Sequence, residues 1–170
     1  MLIPVWEYEL VSGRPNPPPS RVVSPVYRLE LVRESYFRVP EGIAFGTVED
    51  IVRLMARVML EFDREHLVIV GTDKKLKPKG VTYASVGTLD STLVHPREVF
   101  KPLLLMKASR FVTMHNHPSG TPSFSNEDTL MSQKLERCGE ILDIAQADFV
   151  AIGEDGWASI TDKKIHPLPN

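Results

Sequence analysis

The sequence has few of the features that mark membrane, secreted or thiolate-rich proteins. Cys138 is its only cysteine, which excludes an internal disulfide and any metal site built from several thiolates. No apolar run reaches the roughly 20 residues that span a bilayer. Glu7 and Glu9 also interrupt the stretch where a signal peptide would continue its apolar segment. We therefore expect a cytoplasmic protein without a membrane partner.

An excess of positive charge is also missing. Lys and Arg total 20 against 22 Asp and Glu, so the formal net charge is −2. Proteins that bind nucleic acid through its phosphates usually carry a basic surface, so the charge does not indicate a nucleic-acid partner, although a local basic patch would suffice. The 170 residues fit one compact domain. The oligomeric state stays open.

The first forty residues differ from the rest of the chain. Residues 2–10 and 26–32 have strand-like patterns, and the proline-rich stretch 14–20 lies between them. Its three consecutive prolines cannot donate backbone hydrogen bonds, which favours an extended connector over a ligand for a partner's aromatic groove. We divide the chain into a strand-rich N-terminal extension with this connector, residues 1–40, and a domain of residues 41–170.

Strand and helix patterns alternate in the larger part, which favours a layered α/β architecture. Thr47 and Asp50 have the spacing of a capping box and predict a helix start. A second helix is expected near Pro96, with a kink or a late start because of Pro102. A third is expected over 126–138, ended by Gly139. The predicted strands are residues 67–70, 80–86, 110–114, 141–145, 148–152 and 157–160, the last being the final strand.

Two histidines separated by one residue end the predicted strand 110–114. Side chains in a strand repeat every two residues, so His115 and His117 should lie on one face. A Pro- and Gly-containing loop and a helix start near Ser125 then bring Asp128 back toward them. Two imidazoles and one carboxylate are the ligands of an open catalytic zinc site. Ser125 and Asp128 also have capping-box spacing, so local chemistry leaves Asp128 as either a helix cap or a ligand.

The pattern His-x-His, seven residues, Ser, two residues, Asp resembles the JAMM (also JAB or MPN-plus) metalloprotease motif. The segments 86–91, 95–100 and 115–120 resemble the RadC branch of that superfamily, over residues 45–162. RadC proteins usually carry a helix-hairpin-helix module ahead of this domain, and the sequence shows none that we recognise. The implied fold is a single three-layer-like α/β domain with a central mixed sheet flanked by helices, related to the cytidine deaminase fold.

The resemblance implies a Zn²⁺ site with a water as its fourth ligand. His115, His117 and Asp128 would hold the metal, and Ser125 would donate a hydrogen bond to the oxyanion of the tetrahedral intermediate. Glu65, within Arg-Glu-His as in RadC proteins, would be the general acid and base; the runner-up, Glu61, lies on the preceding helix. The expected activity is that of a zinc metallopeptidase or isopeptidase, acting on a peptide or an isopeptide-linked protein.

One departure and two alternatives follow. The RadC branch commonly has Asp-His where this chain has Asp148-Phe149, which suggests a different neighbouring surface or substrate groove. A zinc nucleoside deaminase would need a His-x-Glu or Cys-x-Glu element and a Pro-Cys-x-x-Cys element, which one cysteine cannot supply. A DNA-repair- or replication-associated binding protein, with a structural or vestigial zinc site, is the non-enzymatic alternative.

Overall fold

The computed structural model describes residues 44–87 and 94–169, so the expectations for residues 1–40 lie outside it. The described residues form three helices and six strands. The helices are α1 (Val48–Met59), α2 (Pro96–Leu105) and α3 (Asn126–Leu142). The strands are β1 (His66–Thr72), β2 (Pro78–Val86), β3 (Arg110–Asn116), β4 (Ala145–Gly153), β5 (Gly156–Ser159) and β6 (Lys164–His166). None of these helices combines the length and apolar character that a membrane crossing needs.

All six strands belong to one sheet, in the order β2-β1-β3-β4-β5-β6. β3 and β4 are parallel, and the other neighbouring pairs are antiparallel. A parallel pair needs a crossover connection, and α3 provides it between β3 and β4. The mixed sheet of the expected α/β fold is therefore confirmed.

The sheet separates two hydrophobic cores. Because strand side chains alternate between faces, even-numbered residues of β1 and β3 pack with α1, and odd-numbered residues pack with α2 and α3. The α1 core includes Val68, Val70, Val112 and Met114 with Ile51, Met55 and Met59. The other core includes Leu67, Ile69 and Phe111 with Leu103, Met131 and Leu135. Helices thus cover both faces of the sheet, as the three-layer prediction requires.

The predicted capping box at the start of α1 is confirmed. The Thr47 hydroxyl accepts from the Asp50 backbone amide, and the Asp50 side chain accepts from the Thr47 amide. α2 begins at Pro96 and continues past Pro102 to Leu105. The helix therefore does not start late, and that alternative was wrong.

The prediction that Gly139 ends α3 was also wrong. The helix continues to Leu142 and is capped by Asp143, whose φ of 55° is left-handed. Gly139 is buried inside the helix, where a Cβ would overlap the carbonyl oxygen of Ile144. The glycine is thus needed for close packing of the chain that leaves the helix rather than for termination. Since residues 141–142 are helical, the predicted strand 141–145 does not exist.

The C-terminal part of the sheet is longer than predicted. β4 is one continuous strand, and the predicted turn 153–156 joins it to β5 as an antiparallel hairpin. The strand predicted over 157–160 is β5, but it is not the last. β6 follows and pairs with β5 through three residue pairs.

Candidate metal centre

The two histidines lie at the end of an interior strand, on the face covered by α2 and α3. His115 is fully buried on β3. His117 follows the strand, and its backbone amide donates to the carbonyl of Ile152 at 2.7 Å, which keeps it aligned with β4. Their ring centroids are 4.5 Å apart. The alternation of the strand therefore brings both imidazoles together, as the His-x-His spacing predicts.

Asp128 is both a helix cap and a neighbour of the histidines. Its Oδ2 accepts from the Ser125 backbone amide at 2.8 Å and from the Ser125 hydroxyl at 2.7 Å. The Ser125 hydroxyl in turn accepts from the Asp128 amide at 3.0 Å. The other oxygen, Oδ1, lies 3.8 Å from Nδ1 of His115. Capping thus occupies one carboxylate oxygen and leaves the second directed at the imidazole.

The resulting cluster fits a metal ion. One donor atom from each of His115, His117 and Asp128 lies within 4.8 Å of the others. Both ring nitrogens of His115 and Nε2 of His117 are buried and have no hydrogen-bond partner among the described residues. Buried polar atoms are nearly always partnered, and each exception needs an explanation. A cation that binds one ring nitrogen of each histidine and the carboxylate would satisfy two of these three nitrogens.

The electrostatics of the site keep His115 in the form that a metal needs. Burial lowers the pKa of His115 to about 4, with a raising contribution from Asp128 and a further lowering one from His117. Its imidazole is therefore neutral at pH 7, and a neutral imidazole has a lone pair to donate to a cation.

Two phenylalanines form an apolar wall beside His115. The ring of Phe149 contacts His115 edge-on at a centroid distance of 5.4 Å, and Phe124 lies 6.1 Å from His115. Phe149 is fully buried, so the Asp-Phe departure changes the packing around His115 rather than an exposed surface. Phe149 is visible in the sequence as a departure from the family motif, but its contact with His115 does not follow from the sequence.

The loop between His117 and Ser125 is held against the β4–β5 turn. Gly120 has a φ of +93°, which favours glycine. Its carbonyl accepts from the Asp155 amide at 3.1 Å. A Cβ on Gly153 would overlap that carbonyl oxygen. Close contact between two glycines therefore fixes the loop that leads to the cap of α3.

Glu65 lies directly before β1, which begins at His66. β1 and β3 pair with Leu67 opposite His115. Glu65 lies two residues beyond this last pair, and the alternation of strand side chains would give it the same face as Leu67. Glu61 is exposed just beyond the end of α1.

A groove of about 270 Å³ opens beside His117. It lies between the C-terminal end of α1 and the loop after β3. Met59 and Phe62 line one side, and Pro118 and Glu154 line the other. Of His115, His117 and Asp128, only His117 lines the groove.

A family model described as the RadC-like JAB domain matches residues 45–165. The chain belongs to this family. The matched residues include the candidate metal ligands, Glu65, strands β1 to β5 and the first two residues of β6. The JAB fold and the RadC resemblance expected from the motif are therefore confirmed.

The RadC-like JAB domain also has curated relatives, each called a UPF0758 protein. The relative from Desulfitobacterium hafniense (strain DSM 10664 / DCB-2) is 38% identical over 138 residues, covering 81% of this chain and 61% of the relative. The one from Caldanaerobacter subterraneus subsp. tengcongensis is 36% identical over 123 residues, covering 72% and 53%. The one from Thermotoga maritima is 37% identical over 105 residues, covering 62% and 47%. The chain thus matches about half to three fifths of the length of these relatives.

Proposed function

We propose that this RadC-like JAB domain is a zinc-dependent hydrolase that cleaves an amide bond, either a peptide or an isopeptide bond. The observation that carries the proposal is the convergence of His115, His117 and Asp128, with three buried imidazole nitrogens that have no hydrogen-bond partner among the described residues. Three protein ligands are typical of a catalytic zinc, whereas a structural zinc usually has four.

The donor set supports zinc together with the motif resemblance. Two imidazoles and a carboxylate also bind Fe²⁺ in some oxygenases. Metal analysis of the native protein therefore has to identify the ion. Zinc at this site would act as a Lewis acid and lower the pKa of a bound water toward about 7. Everything else in the proposal is done by side chains of this chain.

Glu65 is the proposed general base and acid. It lies two residues before Leu67, which pairs with His115, and an extended chain there would bring it near His117 on the same face of the sheet. There it would take a proton from the attacking water and return it to the leaving amine. A positioned carboxylate of this kind typically contributes about 10²–10⁴-fold to turnover.

Ser125 is the proposed hydrogen-bond donor to the oxyanion. Its hydroxyl donates to Asp128 at 2.7 Å, so during turnover the hydroxyl must turn from that carboxylate toward the substrate. Ser125 also supports the site in a second way, because its hydrogen bonds direct the remaining oxygen of Asp128 toward His115.

The groove beside His117 is the proposed place for the substrate chain. His117 is the one member of the candidate metal cluster that lines it, and two exposed carboxylates, Asp63 and Glu154, lie at its border. A protein or peptide carrying the scissile amide is the proposed partner. The single cysteine supports a reducing cytoplasm as the proposed location.

The proposal is tested by metal analysis and by turnover of a mixed library of peptides and isopeptide-linked lysine conjugates. The native protein should contain about one zinc per chain and cleave members of the library. Glu65→Gln should keep its zinc and lose about 10²–10⁴-fold in turnover. Glu61→Gln is the matched control and should retain full activity, because that glutamate is exposed near the end of α1.

Full activity of Glu65→Gln would exclude Glu65 as the base. A zinc-loaded protein that cleaves no member of the library, and instead binds DNA with a strong salt dependence, would support the DNA-associated alternative. Iron in place of zinc in the native protein would remove hydrolysis as the favoured reaction.

A further inference from the structure

Asn116 lies between the two histidines and contacts a different part of the site. Its side chain is 2% exposed. Its Oδ1 accepts a hydrogen bond from the backbone amide of His66 at 2.8 Å, and its Nδ2 donates to the carbonyl of Arg64 at 3.0 Å. These two backbone groups flank Glu65 on either side. One carboxamide therefore holds the peptide groups before and after the proposed general base.

The contact lies where the pairing of β1 and β3 ends. The last backbone pair on this side joins Leu67 to His115. The next pair would be His66 with Asn116, and there a side chain bonds to the opposite backbone. A carboxamide carries the donor and the acceptor of a peptide group, so it can extend the ladder by one step. The extension links the strand that carries the histidines to the residue that carries Glu65.

The chain at Glu65 is also held from the other side. The amide of Gly87 donates to the carbonyl of Glu65 at 2.8 Å, and His66 pairs with Val86 on β2. Since Asn116 supplies the contacts from β3, we propose that it is a positioning residue for Glu65. This inference rests on the proposed function, in which Glu65 transfers protons. Asn116 lines the proposed substrate groove but is none of the three proposed ligands.

The kinetic test replaces Asn116 by alanine and, in a second variant, by threonine. Threonine suits a strand, but its short side chain cannot reach both backbone groups. The probe is the library member that the native protein cleaves fastest. Both variants should lose about 100-fold in kcat, as expected for a displaced catalytic group. Zinc content should stay within about 2-fold of the native value, because the three ligands are intact. KM should change much less than kcat, although Asn116 also lines the proposed substrate groove.

Two further variants separate positioning from general damage to the fold. In the Glu65→Gln background, Asn116→Ala should cause no further loss of kcat, because residues that act through one another are not additive. Thr113→Val is the matched control on β3: Thr113 is fully buried, and its hydroxyl has no partner among the described residues. That variant should keep native kcat. Additive losses, a change in KM larger than the change in kcat, or lost zinc in the Asn116 variants would overturn the proposal.

An activity-independent measurement keeps this inference distinct from the proposed function. The hydrogen-exchange rate of the His66 amide should rise at least about 10-fold in both Asn116 variants. The same rate should be unchanged in Thr113→Val. Unchanged exchange would overturn the proposal whatever the kinetics show. Faster exchange in a protein whose native form cleaves nothing would overturn the proposed function and the catalytic part of this inference, while the contact itself would stand.

Discussion

Helices α1 and α3 begin with the same hydrogen-bonded capping box. In α1 the hydroxyl and the amide of Thr47 donate to Oδ2 of Asp50 at 2.7 and 2.9 Å. In α3 the hydroxyl and the amide of Ser125 donate to Oδ2 of Asp128 at 2.7 and 2.8 Å. Locally, the two helix starts are almost identical.

The second carboxylate oxygen distinguishes them. Oδ1 of Asp50 accepts from Arg53 at 3.0 Å at the protein surface. Oδ1 of Asp128 is 3.8 Å from His115 in the buried metal centre. The comparison teaches that a four-residue pattern determines the helix start, whereas the position of that start in the fold determines what the free oxygen binds. α1 is therefore an internal control for every claim about α3.

The largest difference should come from removing each aspartate. Asp128→Ala should lower zinc affinity by more than the roughly 10–100-fold that loss of a group supporting a ligand costs, because here a ligand itself is removed. Asp50→Ala should keep native zinc affinity. Both should lose about 1 kcal/mol of stability with the cap. Zinc competition titrations and thermal unfolding measure the two effects. Near-stoichiometric, tightly held zinc in Asp128→Ala would contradict the ligand assignment.

The second-largest expected difference is in stability, when a glycine in the segment before each helix is replaced by alanine. Gly153→Ala places a Cβ against Gly120 in the loop before α3 and should destabilise the protein by about 1–3 kcal/mol. Gly46→Ala meets nothing within 4 Å before α1 and should be neutral or stabilising by up to about 1 kcal/mol. Urea unfolding gives both values. Equal effects would mean that the loop is not held by the glycine contact.

The cap hydroxyls sharpen the comparison further. Thr47→Ala and Ser125→Ala should each cost about 1 kcal/mol. Only Ser125→Ala should also weaken zinc binding, by about 10-fold, because its hydroxyl orients a ligand. Stability and zinc affinity measured on both variants decide this. An unchanged zinc affinity in Ser125→Ala would show that the backbone amide alone orients Asp128.

The smallest effect is an acid dependence of stability at α1. Burial raises the pKa of Asp50, but hydrogen bonds from Thr47 and Gly46 and the charge of Arg53 together lower it below its usual value. A depressed pKa in the folded state stabilises the protein above the unfolded pKa, near 3.9, and this contribution is lost as the pH falls through the folded pKa. Because the Arg53 side chain is 33% exposed and solvent screens the pair, the contribution should stay below about 1 kcal/mol.

Asp50→Asn should accordingly lose less stability than the native protein between about pH 5 and pH 2. Melting temperatures of both proteins across this range provide the comparison, and any acid release of metal affects both equally. Parallel curves for the two proteins would show that the Asp50 carboxylate adds nothing to folding.

The parts of the molecule that depend on local patterns were predictable. The buried strand β1 and both helix starts follow from apolar runs and capping residues. The position of His115 and His117 on one face of the sheet follows from the alternation of side chains along a strand. The proposed ligand role of Asp128 did not follow locally, since its spacing fits a cap equally well. The motif resemblance, together with distances and burial in the fold, separates Asp128 from Asp50.

The errors and omissions have tertiary causes. Glycine is typical of a helix end, but Gly139 is needed for its small size, which allows close packing against the backbone of Ile144. β6 is only three residues long and forms by pairing with β5, so it has little pattern of its own. The contacts of Asn116 join residues 50 and 52 positions apart, and no local rule connects them. Such pairings exist only once the sheet has formed.

The strand order has a consequence for how an ion would enter and leave. β3 lies between β1 and β4, so the backbone near the histidines should be among the slowest in the protein to exchange its amide hydrogens, and short edge strands such as β6 among the fastest. Asp128 instead follows a surface loop at the first turn of a helix. An ion should therefore bind and leave by local opening of that loop and first turn. The two imidazoles would keep their positions and provide two of the three proposed ligands throughout. Metal exchange would then be much faster than global unfolding.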